Sequence, residues 1–123
     1  MADSAQVAEW ISAYVRAWES NDPDDIGALF SEDATLRFAP FEDPHRGRAD
    51  IVAAWLSHRD EPGEWEFNWH PLAIDGETAM IEAVTRYRDG RVYSNLWVFR
   101  LDADTACRYF VEWYMAHPIG GEK

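Results

Sequence analysis

Apolar residues recur along this chain with two different periods, and the change of period divides it into two halves. Val7, Ile11, Tyr14 and Trp18 repeat at helical spacing, with Trp10 and Ala17 widening the stripe, which predicts an amphipathic helix. Asp3-Ser4 with Gln6 supplies its N-cap and capping box, and the helix is expected to stop before Ser20-Asn21. Asp22-Pro23 opens a second, shorter helix, because Asp can cap and Pro suits the first helical position. Its apolar residues are Ile26, Leu29 and Phe30, and Ser31-Glu32-Asp33 ends it. Ala34 to Phe38 reads as a short strand. Ala39 to Arg48 reads as a loop, since two prolines and a glycine bar regular structure. A third helix runs from about Ala49 to His58 with Ile51, Val52, Trp55 and Leu56 on its apolar side.

From Trp65 to Met115 the pattern is that of strands. Four aromatic and β-branched runs are separated by Asp75-Gly76, Asp89-Gly90 and the Asp102–Thr105 corner, which predicts an antiparallel meander. A two-residue Asp89-Gly90 loop sets Arg86 opposite Tyr93, Val84 opposite Asn95 and Glu82 opposite Trp97. An even loop at the last corner sets Tyr93 opposite Tyr114, Asn95 opposite Glu112 and Trp97 opposite Phe110. The first hairpin, run the same way, sets Trp65 opposite Arg86. Because side chains alternate, one face then carries Trp65, Phe67, Trp69, Glu82, Arg86, Tyr93, Asn95, Trp97, Phe110, Glu112 and Tyr114. The other carries Leu72, Ile81, Ala83, Leu96, Val98, Val111 and Trp113. Both faces are apolar enough to be covered, one by the helices and one by a partner chain. The tail from His117 to Gly121 is expected to fray.

Helices followed by an antiparallel meander imply an α+β fold with three helices on one side of a curved sheet, in a single domain over residues 1–123. The net charge of -12, from 11 basic and 23 acidic residues, disfavours nucleic acid and anionic membranes as partners. The acidic residues, Asp60 and Glu61 among them, are scattered, as on a solvated surface. The lone Cys107 allows no internal disulfide, and no signal peptide or membrane-length apolar run is present, so a cytoplasmic location is expected. Seven tryptophans in so short a chain call for an aromatic interior, a dimer face or an aromatic-lined pocket.

The stretches AWESNDPDDIGALFSEDATLRF, GRADIVAAWL and RYFVEWYM, with the Asp-Gly hairpins between them, resemble the nuclear transport factor 2-like superfamily. Within it the likeness is to SnoaL-like and ketosteroid isomerase-like proteins, over nearly the whole chain. The resemblance implies a cone in which a curved antiparallel sheet wraps the first helix around a pocket, and a homodimer through the outer sheet face. SnoaL-like cyclases end their last strand in a His-Trp-Asp pattern, and Phe110-Val111-Glu112 stands there, so Glu112 matches the Asp and Phe110 replaces the His. The resemblance places a pocket tyrosine at Tyr14 and a second oxyanion donor at Asn95. The isomerases' general base falls near Phe38, which takes no proton, so their mechanism is not implied.

Glu112, among Phe110, Tyr114, Trp97 and Tyr14, is the candidate acid-base group, because desolvation raises a carboxyl's pKa towards neutrality. It is alternatively a buried glutamate satisfied by Asn95 or Arg86. Tyr14 and Asn95 are candidate donors to an oxygen gaining negative charge. Alternatively, Tyr14 is a core aromatic and Asn95 the partner of Glu112. Glu82 and Arg86 either pair with each other or leave Arg86 to hold a substrate carboxylate. Trp18, Trp55, Trp69, Trp97, Phe110 and Tyr114, with Arg86, complete the candidate substrate-binding set, and the tryptophans either line a cavity or fill it. His45 with Asp43 is a secondary acid-base or gating group, or a surface residue. The four histidines lack metal spacing. These residues point to a cofactor-free pocket protein for a small, neutral, apolar or aromatic ring compound. Two activities stay open: isomerase-, cyclase- or hydratase-like proton transfer, and non-catalytic ligand binding or dimerisation on the same fold.

Overall fold

The computed structural model describes residues 2–118. Its helices are α1 (Ser4–Ser20), α2 (Pro23–Gly27) and α3 (Arg48–Ser57). Its strands are β1 (Phe30–Arg37), β2 (His45–Arg46), β3 (Trp65–Asp75), β4 (Thr78–Tyr87), β5 (Val92–Leu101) and β6 (Cys107–Ala116). They form one curved, unclosed sheet in the order β2-β1-β6-β5-β4-β3, an α+β cone. Asp3 and Gln6 close the capping box of α1, each side chain accepting from the other's backbone N–H. Asn21 ends that helix in the left-handed region at φ 52. Val7, Trp10, Ile11, Tyr14 and Ala17 of α1 are buried against the sheet. Trp10 stacks on Phe99 at 4.7 Å, and its indole N–H donates to the Leu29 carbonyl at 3.0 Å, so its one polar atom is satisfied inside the core.

Three departures from the expected pattern have physical causes. The first concerns β1, which starts at Phe30 rather than Ala34, so α2 is shorter than its apolar residues suggested. Cys107 N–H donates to the Leu29 carbonyl and β1 runs parallel beside β6, which makes the sheet mixed rather than wholly antiparallel. Tertiary pairing here overrides local preference. Second, the 39–48 loop contains β2, whose two residues pair with Thr35 and Leu36. Third, β4 is turned over. Tyr87 and Arg91 close a three-residue loop in which Gly90 takes φ 101, and β3 carries a bulge between Pro71 and Ala73. Each adds one residue and reverses the facing of β4 against its neighbours.

Thr85 therefore faces Tyr93, Ala83 faces Asn95 and Ile81 faces Trp97, while Trp65 faces Tyr87. Ile81 and Ala83 are buried in the core rather than turned to the outer face, and Glu82 and Arg86 are exposed on that face. Glu82 pairs there with His70 at 3.1 Å, not with Arg86. Between β5 and β6 the pairing is two residues from the expected one, with Asn95 opposite Tyr114 and Trp97 opposite Glu112. A shift of two preserves facing, so Asn95, Trp97, Phe110, Glu112 and Tyr114 share the inner side. His117 is tied to β5 through its N–H to Val92, whereas Ile119 to Gly121 lie outside the described residues.

Candidate active site

A half-open cavity of about 460 Å³ lies on the inner side of the sheet. Thr85 and Tyr87 of β4, Tyr93, Asn95 and Trp97 of β5, and Glu112 and Tyr114 of β6 form its sheet wall. Tyr14 and Trp18 of α1, Trp55 of α3 and His58, Arg59 and Asp60 after it form the opposite wall, with Phe38 and Glu42 beside them. These positions follow from the alternation of the strands and the helical spacing of Tyr14 and Trp18.

One polar chain crosses the sheet wall. Thr85 Oγ1 donates to Asn95 Oδ1 at 2.8 Å, and Asn95 Nδ2 donates to Glu112 Oε2. Thr85 fixes which end of the amide is which, and the amide in turn fixes the carboxylate. Burial pushes the Glu112 pKa from 4.5 up to about 7, against the opposing effects of Asn95 and of the Trp97 indole N–H. That N–H approaches Glu112 without closing a well-formed hydrogen bond, and it is buried without another partner among the described residues. Glu112 Oε1 has no partner there either, and it is not among the buried unpartnered atoms, so it is accessible from the cavity.

Tyr14 is almost fully buried, yet its hydroxyl makes no hydrogen bond among the described residues and is open to the cavity. Burial first, and then the nearby Glu112 carboxyl, push its pKa well up, so it stays a protonated donor at any ordinary pH. Its ring lies 4.5 Å from that of Trp97 and 4.7 Å from that of Trp55, which fixes its direction. Beside it, Asp60 Oδ2 accepts from the Trp18 indole N–H and the Tyr87 hydroxyl, both at 3.0 Å. The Arg91 guanidinium lies 4.3 Å above the Tyr87 ring and pairs with Asp89 at 2.8 Å.

Of the candidate residues, Glu112, Tyr14, Asn95, Trp18, Trp55, Trp97 and Tyr114 line one cavity. Phe110 lies behind it in the core, and Trp69 is half-buried on β3 outside the cavity lining. Arg86 is on the outer face, so it is placed neither to hold a substrate carboxylate nor to satisfy Glu112. The Asn95 amide is engaged with Glu112 rather than aimed at open space, which makes it a positioning residue for the carboxylate. His45 pairs its ring with Phe38 at 5.8 Å and does not line the cavity. Among the described residues no group of three or more His, Cys, Asp or Glu is placed to hold a metal ion.

Thr85, Tyr87 and Asp60 were not legible as site residues. The inverted β4 register hid the first two, and Asp60 looked like one more surface acid. The sequence signal for β4 was its own polarity, since Glu82 and Arg86 alternate with Ile81, Ala83 and Thr85.

No helix among the described residues is long and apolar enough to cross a membrane. A comparison with curated proteins finds no match. Among solved structures, an NTF-2 like protein of unknown function from Burkholderia xenovorans is similar at TM-score 0.72 and 16% identity, over 96% of this chain and 88% of the other. SalBIII, an epoxide hydrolase/cyclase-like enzyme of pyran ring formation in the polyether salinomycin, is similar at TM-score 0.71 and 19% identity, over 94% and 95%. A steroid delta-isomerase from Pseudomonas aeruginosa is similar at TM-score 0.63 and 22% identity, over 96% and 84%. At these identities the likeness establishes the fold, not the chemistry. The sequence profile of the SnoaL-like domain matches residues 11–117. The chain is therefore a member of the SnoaL-like domain family, within the nuclear transport factor 2-like superfamily.

Proposed function

We propose that the cavity binds a small, largely apolar ring compound and catalyses proton transfer on it without a cofactor. The observation that carries this is Glu112, a carboxyl with one oxygen held by Asn95, the other open to the cavity, and a pKa of about 7. A carboxyl near pKa 7 is both a competent base and a competent acid at neutral pH. Glu112 takes a proton from carbon or hydroxyl, the electron pair moves towards a substrate oxygen, and Tyr14 donates a hydrogen bond to that oxygen. Returning the proton to a different atom completes an isomerisation or cyclisation. In a hydration-type step the proton taken is that of a water whose oxygen bonds to the ring compound, and it is returned to the substrate oxygen that leaves that carbon. SalBIII and the steroid isomerase supply the precedent of ring chemistry on this fold.

Phe38 and Phe110, where related enzymes carry a base and a histidine, favour a second reading as a non-catalytic binding module. Both readings include a homodimer through the outer sheet face, where Leu72, Trp113 and Met115 are exposed beside Leu96 and Val98. The test is the thermal shift of the protein with a panel of aromatic, terpenoid and polyketide-like compounds, repeated with Glu112→Gln and Tyr14→Phe. The catalytic reading expects hits altered in both variants, and turnover of a hit lost in Glu112→Gln. Full turnover by that variant would overturn the role of Glu112, and binding without turnover by the native chain would leave only the binding module.

A further inference from the structure

Asp60 is held more firmly than an exposed loop carboxylate needs to be. It lies three residues beyond α3 and is bound to two other elements. Trp18 of α1 and Tyr87 of β4 both donate to its Oδ2 at 3.0 Å, and the Asn21 side chain at the end of α1 donates to its backbone carbonyl at 3.0 Å. Trp18 is itself clamped by stacking on Trp65 at 3.7 Å. The other oxygen, Oδ1, has no partner among the described residues and is accessible, and the residue lines the cavity. A carboxylate fixed through one oxygen and open at the other is a preorganised acceptor. It can take an N–H or O–H donor, and it rejects a bare carbonyl or ether oxygen. The charged neighbours do not cancel this preference. Arg91 is paired with Asp89, Arg59 and His58 are exposed at the rim, and Glu42 and Glu112 add further acceptors to the lining.

We propose that Asp60 is a specificity-determining residue, selecting ring compounds that carry a hydroxyl or protonated amine to meet its free carboxylate oxygen. This rests on the cavity being a ring-compound site, as above, and narrows which compounds it takes. The ligand's reacting end lies towards Glu112 and Tyr14, and its donor end towards Asp60.

The test is calorimetric titration of the full chain with four matched probes: 2-aminotetralin, tetralin-2-ol, 2-tetralone and 2-methyltetralin. The amine and the alcohol are expected to bind at least about tenfold tighter than 2-methyltetralin, as a hydrogen bond to a charged acceptor provides. Asp60→Asn sharpens the result. The Trp18 and Tyr87 donors claim the amide oxygen, which turns the amide N–H₂ to where Oδ1 stood and replaces an acceptor by a donor. The amine is then expected to lose about tenfold or more, the alcohol less, the ketone to gain, and 2-methyltetralin to stay unchanged. Amine loss without alcohol loss identifies the ammonium as the preferred donor, and comparable losses identify any donor. Tyr87→Phe, which removes one anchor of Asp60 and leaves the loop backbone intact, is expected to reduce the donor preference while sparing 2-methyltetralin. Equal binding of all four probes by the native chain, or equal weakening of all four in Asp60→Asn, would overturn the proposal and leave the ring-compound pocket standing. Failure to bind any probe would overturn both.

Discussion

A carboxyl group with a pKa near 7 weakens the fold in a pH-dependent way, and Glu112 makes the dependence measurable. Its folded pKa of about 7 exceeds the ordinary value of 4.5 because burial disfavours its charge. Between those values the folded state binds more protons than the unfolded one, so stability falls as pH rises through the window. The contribution is fully present below about pH 4.5 and lost above about pH 7, with a ceiling of about 3 kcal/mol from the size of the shift. Glu112→Gln keeps the shape and removes the charge. Urea unfolding should show the variant gaining on the native chain between pH 5 and pH 8, by up to roughly 3 kcal/mol. An identical difference at both pH values would mean that Glu112 is solvated. Glu112 and Tyr14 were readable as candidates because strand alternation and helical spacing aim them inward. Asn95 as the partner of Glu112 was readable as one of two alternatives, but the Thr85 hydroxyl that orients its amide was not, because the expected register turns Thr85 to the other face.

At the scale of elements, two single-residue insertions decide which side chains reach the site. Gly90 sits at φ 101 in the loop between β4 and β5, a conformation that disfavours a Cβ. Gly90→Ala should cost about 1 kcal/mol or more in urea unfolding while leaving the fold intact. A neutral substitution would show that the loop relaxes freely. The bulge in β3 lies at Pro71, whose missing N–H suits an interrupted ladder. An Asp-Gly pair serves two-residue and three-residue loops alike, so the turn residues alone left the register of β4 open by one. Burial of Ala79, Ile81, Ala83 and Thr85 selects the longer loop, because the shorter one would bury Glu82 and Arg86 instead. By contrast, the capping box at Asp3 and the Asp22-Pro23 helix start depend only on neighbouring residues, and both stand where expected.

The whole molecule presents an open sheet with one face filled and one partly bare. The arrangement of helices before a meander was legible because each element's period survives in the sequence. The parallel pairing of β1 with β6 was not, since it joins residues some seventy positions apart with no local signal. Nor was the cavity, which depends on how eight aromatic rings pack beside Glu112 rather than on their number. Val98 lies amid the outer face with Leu96 and Trp113, so Val98→Lys should halve the mass seen by light scattering if two chains meet there. An unchanged dimer mass would exclude a central part for that face.

The central claim is that Glu112 is a cavity carboxyl able to exchange a proton near neutral pH. Its most direct test is a carboxyl-carbon NMR titration of the glutamates from pH 3 to 9, in the native chain and in Glu112→Gln. One resonance should titrate near pH 7 in the native chain and vanish in the variant, with the other glutamates unchanged. If every glutamate titrates near the ordinary value of 4.5, Glu112 is an ordinary solvated acid and the proposed chemistry has no centre.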